Sequence, residues 1–114
     1  MTVKYRIPCS ESDIFVLAKE DGFHLTIGSK VNPLSFGNKI SDYVSLGRAI
    51  DAADKFCEVY TLFKEYGYHL EGPNFQKEGM QSILVPELLD KEISTEALRD
   101  MLDRNTLIAK QSIN

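Results

Sequence analysis

Between Ser45 and Gly67 the apolar residues Leu46, Ala49, Ile50, Ala53, Phe56, Cys57, Tyr60 and Phe63 recur at steps of three or four. That spacing lines one face of a helix. Ser45 is suited to cap its start, and Gly67 stands where a helix turns left-handed and stops. Arg48, Asp51, Asp54, Lys55, Glu58 and Lys64 fall on the other side. A helix over 45–66 with so broad a stripe must bury it against another layer. Everything else in the chain is therefore read as the search for that layer.

The layer is a sheet. Thr2 to Ile7 alternate apolar and polar residues and end at Pro8, as a half-buried strand does. Two β-prone runs over 13–28 flank Asp21-Gly22, a strong hairpin signal. With Asp21-Gly22 as a two-residue loop, Glu20 faces Phe23, Ala18 faces Leu25 and Val16 faces Ile27. Ile14 then extends the apolar side, and His24 falls on a mixed side. Residues 29–44 read as irregular, with turn signals at Asn32-Pro33 and Gly37-Asn38, although Lys39 to Val44 alternate as a further strand would. A second irregular stretch runs from Tyr66 to Gly79. Gln81 to Val85 fits a short strand or the approach to a short helix with Pro86 at its first position. Ser94 or Thr95 then caps a C-terminal helix at about 95–109. The expected fold is α+β: a small antiparallel sheet of three or four strands packed on the 45–66 helix, in one domain over 1–114.

Composition narrows the function. The 114 residues carry net charge −4, with a pI near 5.1. Direct binding to a nucleic-acid backbone needs clustered Lys and Arg, so the charge sign opposes it. Glu87 to Leu102 has the outline of a helix-turn-helix, but its second helix presents Glu96 and Asp100, followed by Asp103. No apolar run reaches the roughly 20 residues that span a bilayer. The N-terminus lacks the pattern of a secretory signal, which places the chain in a cytoplasm.

Catalytic and metal chemistry find little support. Cys9 and Cys57 lie 48 residues apart and form no ligand spacing, and a reducing compartment argues against a disulfide between them. Cys57 belongs to the apolar stripe and reads as a small buried hydrophobe. A hydrolase reading would pair Cys57 with His69 across the helix end, but no third group is there to orient them. Asp51, Asp54 and Glu58 recur on a helix with Lys55 among them, the pattern of a solvated face. No metal site, cofactor or enzymatic activity is expected.

Recognition is the better-supported role. Residues 68–114 hold five basic and eight acidic groups and so carry most of the net negative charge. Such a surface steers a basic partner. Aromatic residues on loops make good interface anchors. The reading is a small non-catalytic binding or inhibitory protein, of the kind phages and mobile elements encode, acting on a protein partner with a basic surface. Its anchors would be Tyr43, Tyr68 and Phe75, and its acidic rim Glu96, Asp100 and Asp103. A free sheet edge or the C-terminal helix would offer a homodimer contact.

A rival reading comes from a resemblance. Asp21-Gly22-Phe23-His24-Leu25, then Ser45-Leu46 opening a helix with Ala49, Ala52 and Ala53, then Leu70-Glu71-Gly72-Pro73, is similar to HicB-like antitoxin domains. The resemblance covers roughly 13–73. It implies a regulator that binds a small basic toxin and DNA, and it assigns no site residues here.

Overall fold

The computed structural model describes residues 2–29, 38–91 and 93–112, with Ser29 and 105–112 as backbone only. Strands β1 (Thr2–Cys9), β2 (Ser12–Lys19), β3 (Gly22–Ser29) and β4 (Asn38–Tyr43) form one antiparallel sheet in chain order. Helix α1 (Leu46–Glu65) packs on it. Three short strands, β5 (His69–Glu71), β6 (Asn74–Gln76) and β7 (Ile83–Leu84), form a second sheet. Helices α2 (Val85–Asp90) and α3 (Thr95–Ser112) complete the described chain. The α+β class, the hairpin, the long helix and the C-terminal helix follow the sequence reading.

The hairpin register differs from that expected. Lys19 pairs with Gly22, Ala18 with Phe23, Val16 with Leu25 and Ile14 with Ile27. The turn is therefore Glu20-Asp21, and Gly22 is the first residue of β3. A shift of two residues leaves every side chain on its expected face, because the strand period is two. Gly22 is fixed there by close approach. A Cβ on it would stand 2.6 Å from the Tyr43 carbonyl oxygen. Gly22→Ala must push β3 and β4 apart locally, and a loss of about 1–3 kcal/mol is expected in denaturant unfolding.

Ile14, Val16, Leu25, Ile27 and Ile40 share a core with Ala49, Ala52, Ala53, Phe56, Val59 and Phe63 of α1. Alanines at three of the α1 contact positions let the helix lie close to the sheet. The second face of the sheet is mixed: buried at its middle, but with Arg6 at one edge and Lys39 and Asp42 at the other exposed. Phe15, Leu17, Thr26 and Asp13 are nearly inaccessible, whereas Lys19, His24 and Asp42 on the same side form a charged group, so the side is mixed as expected. The run Ile14-Phe15-Val16-Leu17-Ala18 is apolar on both faces, as in strands covered on both sides. Asp13 is held there by Arg6, whose Nη2 lies 2.7 Å away. Edge strand β1 carries a register irregularity between Val3 and Tyr5, and it also contains Pro8. Both features discourage pairing with another strand.

Both ends of α1 are capped by local chemistry. Ser45 Oγ accepts the Arg48 N–H at 3.2 Å. At the far end the Gly67 N–H bonds the Lys64 carbonyl and the Tyr68 N–H bonds the Phe63 carbonyl, both at 3.0 Å, with Gly67 at φ +86°. This left-handed stop reverses the chain into β5. Lys77 Nζ donates to the Tyr66 carbonyl at 2.6 Å, tying the second sheet to the same helix end.

The stretch read as irregular, 66–79, thus contains two paired strands. Glu71 pairs with Asn74 around Gly72-Pro73, and Phe75 pairs with both Leu70 and Ile83. Strands of two or three residues are too short to show alternation. Their stability comes from Phe75, which stacks on Phe63 at 4.3 Å between ring centres. Next, a strand forms only over Ile83–Leu84, and α2 begins at Val85, so Pro86 is its second residue rather than its first. Ser94 caps α3 through the Ala97 N–H at 3.1 Å. Leu98 and Leu102 seat α3 in the core beside α1. The helix runs to Ser112 rather than 109. Asn32-Pro33 and Phe36 lie outside the described residues.

Candidate functional site

The proposed acidic rim lies on one helix. Glu96, Asp100 and Asp103 are all exposed along α3, at i, i+4 and i+7. The buried Leu98 and Leu102 set that orientation by holding the opposite side of α3 in the core. Asp103 accepts the Tyr66 hydroxyl hydrogen. That hydrogen bond raises the Tyr66 pKa. Arg99 reaches across to Glu65 of α1 at 3.3 Å, and the Thr95 hydroxyl donates to Glu58 at 3.3 Å. Between the two helices runs a groove of about 470 Å³, with Glu58 and Glu65 on one wall, Thr95 and Arg99 on the other, and Cys57 and Leu62 also lining it.

The three aromatic anchors part company. Tyr43 is half-buried at the end of β4 and lines a cavity of about 600 Å³ with Arg48, Asp51, Lys55, Asp90 and Lys91. Burial, together with the nearby Asp90 carboxylate, pushes its phenol pKa up. Tyr68 and Phe75 are core residues, 6% and 1% exposed. Their rings pack edge-on and stacked against Phe63. As surface anchors both are corrected: a partner reaches neither without opening the second sheet. Their place in loop-like sequence hid the short strands that turn them inward.

The cysteines supply the largest correction. Cys9 and Cys57 form a disulfide, with their Cα atoms 5.7 Å apart. In this state Cys57 has no thiol to serve as a nucleophile. His69 lies on β5, 3.4 Å from Glu71 and well exposed. Spacing along the chain did not reveal the bond, because the end of β1 meets the middle of α1 only in the folded domain.

His24 belongs to a charged cluster on the sheet. Asp42 accepts hydrogen bonds from His24 Nδ1, from Lys19 Nζ at 3.1 Å and from Lys39 Nζ at 3.0 Å. Burial opposes ionisation of Asp42, but the bonds from Lys39, Lys19 and His24 outweigh it and lower its pKa from 3.8 to about 2. A carboxyl whose folded pKa is depressed contributes stability above its unfolded pKa and loses it as pH falls through the folded one. The window is therefore from pH 3.8 down to about 2. With its side chain 44% exposed, solvent screening limits the contribution to below about 1 kcal/mol. Asp42→Asn is expected to flatten the acid limb of the stability curve in that window, as read by urea unfolding at each pH. Among the described residues no three His, Cys, Asp or Glu side chains group as a metal site, and no helix is long and apolar enough to cross a membrane.

The described chain is thus an α+β domain with a four-stranded sheet, one long covering helix and a C-terminal helix. No protein-family model matches the chain, and neither a curated protein nor a solved structure matches it. The antitoxin-like reading gains no support from these comparisons.

Proposed function

We propose that the protein is a small, non-catalytic binding protein that inhibits or masks a protein partner by occupying a basic surface on it. The observation that supports this reading is the exposure of Glu96, Asp100 and Asp103 along one side of α3, beside the Glu58 and Glu65 wall of α1. Of the two described cations on α3, Arg99 is engaged with Glu65. Carboxylates held on a rigid helix act on a partner at long range and raise its association rate. Tyr43 is the aromatic anchor that remains accessible.

The triple variant E96A/D100A/D103A is expected to weaken capture of the basic partner by roughly tenfold at low salt and to flatten its salt dependence. The partner is first obtained by affinity capture from the native host. Titration by surface plasmon resonance at two ionic strengths reads both effects. Unchanged binding would remove the electrostatic basis of the proposal.

A further inference from the structure

The Cys9–Cys57 bond joins the end of β1 to the middle of α1, and its two ends lie in different surroundings. Cys9 is 2% exposed. Cys57 is half-buried and lines the α1–α3 groove, together with Thr61, Leu62 and Thr95. A thiolate cleaves a disulfide by attacking a sulfur it can reach, in line with the bond that breaks. The Cys57 side offers an approach from a groove. We propose that Cys57 Sγ is a site of thiol–disulfide exchange with an external dithiol, and that exchange there frees β1 from α1.

The step balances without any further reactant. A thiolate of the dithiol forms a bond to Cys57 Sγ while the Cys9–Cys57 bond breaks. Its electron pair leaves on Cys9 Sγ, which takes a proton from water. The second thiol of the reagent, deprotonated, then displaces Cys57 as a thiolate, so the protein gains two electrons and the dithiol becomes a cyclic disulfide. Thr61 is placed to assist. Its Oγ1 lies 3.9 Å from Cys9 Sγ and now donates to the Cys57 carbonyl at 2.9 Å. Swinging that hydroxyl hydrogen toward Cys9 gives the departing thiolate a donor beside the Cys57 carbonyl, which lies 3.5 Å from the same sulfur.

β1 is the element that responds because the disulfide is its deepest attachment. Cys9 is the one buried residue of the strand; the others are exposed or half-buried. Among the described residues a further tie to α1 is the Tyr5 hydroxyl, which donates to Asp54 at 2.7 Å at the surface. Strands β2 and β3, by contrast, share a continuous core with α1. Weakly buried elements open locally without global unfolding.

The test uses the wild-type chain under native conditions. A brief pulse of 2-mercaptoethanol, quenched with acid and mapped by mass spectrometry, traps the first adduct. The expected adduct lies on Cys57 in roughly tenfold excess over Cys9. After full reduction by dithiothreitol, hydrogen exchange of the β1 amides is expected to quicken about tenfold or more, with β3 and α1 changed less than about twofold. Equal labelling of the two cysteines would overturn the assignment. So would a need for denaturant before any reduction, or a loss of protection in α1 and β3 together with β1.

Discussion

Phe75→Ala is expected to cost about 3–5 kcal/mol, the range for removing a fully buried ring from a packed core. The ring is 1% exposed and stacks on Phe63, with Phe56 and Tyr60 at 6.5 Å. It is the central side chain of a strand only three residues long, flanked by partners as short. Such a sheet has little backbone pairing to fall back on, so removing its anchor uncouples β5–β7 from α1. Denaturant unfolding reads the loss. Hydrogen exchange should show it concentrated in residues 69–84, with the four-stranded sheet retaining more protection. A cost below about 1 kcal/mol would mean that the second sheet is held by something other than this ring.

The double variant C9S/C57S is expected to lose about 4 kcal/mol. The bond closes a loop with a sequence separation of 48, and opening it restores that much conformational entropy to the unfolded chain at 25 °C. For a domain of this size the midpoint of thermal unfolding falls by roughly 10–20 °C. Added dithiothreitol should lower the wild-type midpoint by a comparable amount and leave the double variant unmoved. A wild-type midpoint indifferent to reductant would show that the bond does not constrain the chain in solution.

These two effects mark where sequence reasoning reached its limit. The helix over 45–66 was legible because its caps and its stripe are local features, and both appear within a residue of their expected places. The hairpin faces were legible for the same reason, although the register moved by two residues. Gly22 was read as a turn residue, whereas its lack of a Cβ serves a contact with Tyr43, a residue on another strand. Glu96, Asp100 and Asp103 lie exposed on α3 as expected, because charge on an amphipathic helix falls opposite its apolar side. Tyr68 and Phe75 were misplaced because neighbouring glycine and proline made their segment resemble a loop.

The sequence by itself determined the long helix, the strand faces, the C-terminal helix and the α+β class. Each depends on residues within a turn or a hairpin of one another, where backbone geometry converts spacing directly into a face. Only the tertiary structure decided the disulfide, the second sheet and the burial of Phe15 and Leu17 at the middle of the sheet's other side. Each of those depends on which elements meet, and that is set by the summed burial of apolar surface across the domain rather than by any local run of residues.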